Sequence, residues 1–200
     1  MNQTFSRICV FCGSSAGQRP EYAAAASDLG ASLARQGIVL VYGGGRTGLM
    51  GILADAALGG GGHVIGVMPQ PLVDKEVAHL GLSELRVVAS MHERKAMMAD
   101  LADAFIVLPG GYGTFDEFCE ILTWSQLMFH SKPCGLLDVA GYWQHLIAMF
   151  DHALAEGFLR PQHRALPVFA GDLDSLLAAM AAQRPHLDRR DPLDKWWDRP

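Results

Sequence analysis

The segment Pro109-Gly110-Gly111-Tyr112-Gly113-Thr114-Phe115-Asp116-Glu117 gathers residue types that suit an anionic ligand beside a reactive carboxylate. Gly110, Gly111 and Gly113 allow close backbone approach, so successive N–H groups can converge on one anion, with Tyr112 carried among them. Thr114 is expected to open a helix there, adding its hydroxyl and the positive end of the helix dipole. That set suits a single phosphate. Glu117 admits two readings of equal weight. Thr114-x-x-Glu117 is the spacing of a capping box, in which the carboxylate merely closes the helix start. The other reading makes it a functional carboxylate, which beside a phosphate requires a balancing cation.

Candidate cations lie in Ser90-Met91-His92-Glu93-Arg94-Lys95. Ser90-x-x-Glu93 is a second capping box, which assigns Glu93 a structural role. Arg94 and Lys95 then occupy the first helical turns, where the dipole disfavours positive charge. Such a pair is odd for stability and sensible for an anionic ligand, although a solvated basic pair has the same spacing. His92 reads as a surface residue, and Met91, Met97, Met98 and Leu101 as a core stripe. Glu120 shares a helical face with Asp116 and Glu117 and could support the latter.

A second glycine cluster, Gly43-Gly44-Gly45-Arg46-Thr47-Gly48, has the Gly-x-Gly-x-x-Gly form. A dinucleotide site would also place an acidic residue at the end of the next strand. Val67-Met68-Pro69 stands there instead, so the loop is read as a nucleotide-facing wall or a tight helix entry. The chain contains no Gly-Lys-Ser or Gly-Lys-Thr, which excludes a Walker A site. No Ser-His-Asp set and no His-x-x-x-His pair is found, and neither a metal nor a cofactor is expected.

These segments are positioned by alternating apolar runs and helical stretches. Strands are expected at Ile8–Phe11, Ile38–Tyr42, His63–Met68, Glu84–Ala89, Ala104–Leu108, Pro133–Leu137 and Leu166–Phe169. Helices are expected over Pro20–Gly37, Thr47–Leu58, Met91–Leu101, Thr114–Met128, Gly141–Glu156 and Asp172–Ala182, with a long polar loop at Pro69–Ser83. Continuous apolar strands are covered on both faces. The fold class is therefore α/β, a doubly wound parallel sheet with helices on both faces and right-handed crossovers. Residues 1–182 form one domain, and 183–200, with Trp196 and Trp197, a mobile tail. Ligands of such sheets bind beyond the carboxyl ends of the strands, where the segments after strands one, two, four and five converge.

A formal net charge of −5 with scattered basic residues argues against a nucleic-acid partner. No apolar run approaches a membrane span, and the N-terminal stretch lacks a signal-peptide core, so a cytoplasmic location is expected. Cys9, Cys12, Cys119 and Cys134 have neither zinc nor redox spacing and read as reduced, mostly buried thiols.

Gly43–Gly51, Met91–Ala96 and Pro109–Glu117, in that order, resemble the Lonely guy (LOG) family of cytokinin riboside 5′-monophosphate phosphoribohydrolases, whose bacterial relatives often carry the label of possible lysine decarboxylase. The resemblance covers roughly residues 8–158. It implies a Rossmann-like fold, a homodimer, and a nucleoside 5′-monophosphate substrate cleaved at its N-glycosidic bond. By motif position it implies that Arg94 and Glu117 are the essential pair and that Gly110, Gly111, Tyr112, Gly113 and Thr114 form the phosphate loop. Glu76, Lys95 and Thr123 match substrate-contacting positions.

Under that resemblance, Glu117 would stabilise the oxocarbenium charge on ribose or activate water, while Arg94 holds the phosphate or orients Glu117. A decarboxylase would need a Schiff-base lysine and a cofactor pocket, whereas Lys95 belongs to the anion cluster. The alternatives are a general purine-nucleotide nucleosidase acting mainly on AMP and a nucleotide-binding protein without turnover.

Overall fold

A computed structural model describes residues 5–75 and 77–189. The strands are β1 (Arg7–Phe11), β2 (Val39–Tyr42), β3 (Val64–Pro69), β4 (Glu84–Val88), β5 (Ala104–Val107), β6 (Cys134–Leu137) and β7 (Pro167–Ala170). All pair in parallel in one sheet, in the order β4-β3-β2-β1-β5-β6-β7. The helices are α1 (Pro20–Arg35), α2 (Gly48–Gly59), α3 (Gln70–Val73), α4 (Met91–Leu101), α5 (Tyr112–Gln126), α6 (Gln144–Ala155), α7 (Pro161–Arg164) and α8 (Leu173–Asp188).

Side chains alternate across each strand, so β1 feeds two cores. Ile8 and Val10 pack with Leu29 and Leu33 of α1, Leu53 of α2 and Met180 of α8. Cys9 and Phe11 face the opposite layer, with Met98 of α4, Phe118 and Ile121 of α5, and Trp143. The chain runs outward from β1 to β4 and then returns to add β5 on the other side of β1. The β1/β5 boundary is thus the point where strand order reverses, and a crevice opens there between diverging loops.

Four differences from the sequence expectation have physical causes. First, residues 69–83 are more than a polar loop. Gln70–Val73 forms a helical turn, and the following strap pairs with the glycine loop through a Gly45–Ala78 antiparallel bridge. The Arg46 N–H donates to the Val77 carbonyl at 3.0 Å and the His79 N–H to the Gly44 carbonyl at 2.9 Å. Second, α5 starts at Tyr112 rather than Thr114, because Gly111 takes the N-cap position with extended backbone. Third, a 3-10 turn at Val139–Gly141 precedes α6, with Ala140 at φ 52°. Fourth, α8 continues past Ala182 through Pro185 to Asp188, with Leu187 buried. The expected tail boundary at 183 is thereby displaced, and Trp196 and Trp197 lie outside the described residues.

Phe129, just past α5, lies at the surface with 75% exposure. Met91 likewise leaves the expected core stripe for the surface, while Met98 keeps its place in the core. Among the described residues no helix is long and apolar enough to cross a membrane.

Candidate active site

At the reversal point lies a cavity of about 490 Å³, lined by the loop after β1 (Cys12, Gly13, Ser14), the glycine loop after β2 and the start of α5. Gly111, Tyr112, Gly113 and Thr114 form its phosphate-suited end. Tyr112, Gly113 and Thr114 are the first three residues of α5, and the first intrahelical bond runs from the Phe115 N–H to the Gly111 carbonyl at 3.0 Å. The three preceding N–H groups have no partner within the helix, and they sit at the positive end of its dipole. Tyr112 projects from the rim with 94% exposure, whereas Thr114 is buried with its hydroxyl against Gly110. A Cβ on Gly110 would come within 2.1 Å of the Thr114 Oγ1, so only glycine admits that turn.

The two readings of Glu117 separate here. Because α5 begins at Tyr112, Thr114 sits inside the first turn and has no cap to make. The capping box is absent, and Glu117 turns one face further into the helix, toward the cavity. The Ser90 cap does form: the Ser90 Oγ accepts the Glu93 N–H at 3.1 Å, and the Glu93 carboxylate reaches one residue past the N-cap to accept the Ala89 N–H at 2.8 Å.

Arg94 stands one residue beyond that box, at 9% exposure. Its Nε donates to the Val67 carbonyl and its Nη2 to the Gly43 carbonyl, both at 3.0 Å. Nη1 lies 3.4 Å from the Glu117 Oε1. Gly43 is needed for this seat, since a Cβ there would fall 1.8 Å from the Nη2. Arg94 is therefore pinned by two carbonyls and turned toward Glu117. Burial raises the Glu117 carboxyl above its usual range, and the Arg94 guanidinium partly offsets that rise. The 3.4 Å separation exceeds a normal N–H···O bond, so carboxylate lone pairs stay open to a ligand. Burial, with the Glu117 charge second, pushes the Cys12 thiol up and keeps it protonated and inert.

Lys95 departs from its expected place in the anion cluster. Its ammonium bridges Asp116 and Glu120, each at 3.0 Å, and joins α4 to α5 away from the cavity lining. Burial opposes its charge, but the hydrogen bonds to Glu120 and Asp116 outweigh it and raise the pKa. Glu120 accordingly supports Lys95 rather than Glu117. Thr123 is also apart. Nine residues beyond Thr114, it lies about 13 Å further along the helix axis, and it borders a separate cleft with Cys119, Leu122 and Phe150. Its hydroxyl donates to the Cys119 carbonyl at 2.8 Å. Glu76 lies outside the described residues.

An apolar part of the lining is Met50, Met68, Leu72 and Val77, of which Leu72 and Val77 carry no signal in the sequence. Leu72 and Val77 come from α3 and the strap, and only its bridge to Gly45 reveals that they close over the site.

The family model described as "Possible lysine decarboxylase" matches residues 50–180. A probable cytokinin riboside 5′-monophosphate phosphoribohydrolase of Oryza sativa subsp. japonica is 54% identical over 173 residues, covering 86% of this chain and 76% of the relative. A cytokinin riboside 5′-monophosphate phosphoribohydrolase of Arabidopsis thaliana is 48% identical over 184 residues, 92% of this chain and 85% of the relative. The chain belongs to the LOG family. Among solved structures, the molybdenum cofactor binding protein of Rippkaea orientalis superposes with a TM-score of 0.67 at 22% identity, over 88% of this chain and 95% of that one. That likeness is one of Rossmann-like fold.

Proposed function

We propose that the protein hydrolyses the N-glycosidic bond of nucleoside 5′-monophosphates of the cytokinin riboside type, or AMP, releasing free base and ribose 5-phosphate. The observation that carries this reading is the buried Glu117 carboxylate, paired with Arg94 in the same cavity as the N–H cradle of α5. The names of the relatives, 54% and 48% identical, support it.

In this reading the phosphate sits on the N–H groups of Tyr112, Gly113 and Thr114, and the ribose spans toward Glu117. As the C1′–N bond breaks, positive charge develops on the ring, and the ionised carboxylate stabilises it. Water bonds to C1′ from the carboxylate side. Its hydroxyl stays on the sugar, one proton passes through Glu117, and the departing base nitrogen ends protonated. Arg94 favours the ionised form of Glu117 and orients it, while its other donors are taken by the Gly43 and Val67 carbonyls. The apolar wall of Met50, Met68, Leu72 and Val77 favours a base bearing an apolar substituent over plain adenine.

A homodimer completes the reading. The family resemblance and the exposed Phe129 and Phe158 support it, as does Thr123, which cannot reach the cavity of its own chain. A cytoplasmic location accords with free thiols at Cys9, Cys12, Cys119 and Cys134. The test is base release from AMP and from isopentenyladenosine monophosphate, with kcat/KM compared between them and oligomer mass measured by light scattering. Inactivity on both nucleotides rejects the hydrolase reading, and a monomer rejects the assembly.

A further inference from the structure

The Gly110–Gly111 peptide is held from behind by a residue far away in sequence. The Tyr142 hydroxyl donates a hydrogen bond to the Gly110 carbonyl. The preceding carbonyl, that of Pro109, accepts the Gly13 N–H at 3.0 Å. A trans peptide points its N–H opposite to its C=O. Tyr142 and Gly110 border a smaller cleft behind the loop and not the main cavity, whereas Gly111 borders both and Tyr112 and Gly113 border the main cavity alone. Drawing the Gly110 carbonyl rearward therefore aims the Gly111 N–H at the cavity. Between two glycines nothing local prevents that peptide from flipping, since neither residue has a Cβ to restrict it.

Tyr142 is itself fixed with unusual care. Ala140 adopts a left-handed backbone, φ 52° and ψ 31°, rarely held without a reason by a residue with a side chain. The turn is tied by the Tyr142 N–H to the Val139 carbonyl at 3.1 Å and by the Trp143 N–H to the Asp138 carboxylate at 2.7 Å. The Tyr142 ring stands edge-on to Trp143, at 4.9 Å, and to Tyr22, at 5.7 Å. Trp143 in turn packs edge-on to Phe115 of α5 at 5.8 Å. One turn thus grips both the phosphate loop and the helix that carries Glu117.

We propose that Tyr142 is a positioning residue for phosphate recognition, acting through the Gly110–Gly111 peptide to add the Gly111 N–H to the cradle. The inference rests on the phosphate cradle of the proposed function. Tyr142→Phe keeps the ring packing and removes only the hydroxyl. Titration calorimetry of full-length wild type and variant with ribose 5-phosphate and with the unphosphorylated nucleoside tests it. The expected result is ribose 5-phosphate binding weakened about three- to tenfold, the range of one net hydrogen bond, with nucleoside binding unchanged. In the hydrolysis assay KM rises by the same factor while kcat holds. Unchanged ribose 5-phosphate affinity overturns the inference, as does equal weakening of both ligands, which marks general loosening. A wild type that does not bind ribose 5-phosphate overturns the cradle itself, a failure distinct from that of Tyr142.

Discussion

Gly43→Ala separates the two roles open to Arg94. The backbone at Gly43 lies outside the left-handed region, so alanine is admitted there. The new Cβ falls 1.8 Å from the Arg94 Nη2, however, and 3.0 Å from Cζ. A normal contact needs about 3.4 Å, so the guanidinium has to leave its place on the Gly43 and Val67 carbonyls. Retreat from Glu117, from 3.4 Å to about 5 Å, weakens their attraction by roughly 1.5 kcal/mol at an effective dielectric of 20. That equals about one unit of pKa.

The sign follows from which form is active. Burial already raises the Glu117 carboxyl and Arg94 opposes it, so withdrawing Arg94 raises it further. The ionised carboxylate is the working form, and the acid limb of kcat/KM moves up by about one pH unit. Below the limb the variant is about tenfold slower, and on the alkaline plateau it approaches wild type. The assay is base release from a nucleoside monophosphate between pH 5 and 9. A limb that stays in place or moves down refutes the reasoning. A uniform loss at every pH instead assigns Arg94 to the phosphate.

Glu117→Gln abolishes turnover and yet stabilises the fold at alkaline pH. A carboxyl raised by burial binds its proton more tightly when folded, so its contribution to stability is present at low pH and lost as pH rises through the folded value. The amide escapes that loss, and urea unfolding should favour the variant at pH 8 but not at pH 4; the reverse order would contradict the burial account. Lys95→Ala removes both links between α4 and α5 and is expected to lower stability by about 1 kcal/mol, the partners being partly exposed. It also lifts the acid limb slightly, because Lys95 lowers the Glu117 carboxyl; a thermal scan showing no change would mean that the bridge contributes nothing. Ser90→Ala deletes the cap one turn before Arg94 and should remove about 1 kcal/mol, seen as a Tm lower by roughly 2–4 °C. An unchanged Tm would remove Ser90 from the set that holds α4.

What the sequence made legible was mostly what the backbone does locally. The strand runs and the glycine segments are contiguous, so their order alone locates the ligand edge of the sheet. The start of α5 was misplaced by two residues because Thr114 is a better cap by residue type than Gly111. The cap is decided instead by packing, since Thr114 has to bury its hydroxyl against Gly110. That small shift decided the role of Glu117. The seat of Arg94 was hidden for a different reason. It is made of two main-chain carbonyls, those of Gly43 and Val67, and carbonyls leave no mark in residue types. Lys95 points elsewhere than Arg94 because neighbours in a helix lie about 100° apart. Arg94 faces the sheet ends while Lys95 faces α5.

The resulting division of charge explains how one small cavity can hold a phosphate and a carboxylate together. Arg94 and Glu117 nearly cancel, and with Lys95 engaged by two carboxylates no second fixed cation lines the cavity among the described residues. The phosphate end is therefore served by helix and peptide dipoles, which are oriented before the ligand arrives and need not be drawn out of water. A strong fixed cation there would compete with Arg94 for Glu117 and would hold the phosphorylated product after cleavage. Glu117 keeps the open lone pairs that a developing ring cation requires because its neighbour is pinned elsewhere, 3.4 Å off. Two carbonyls thus hold an arginine near enough to offset the burial of Glu117 and far enough to leave its lone pairs open.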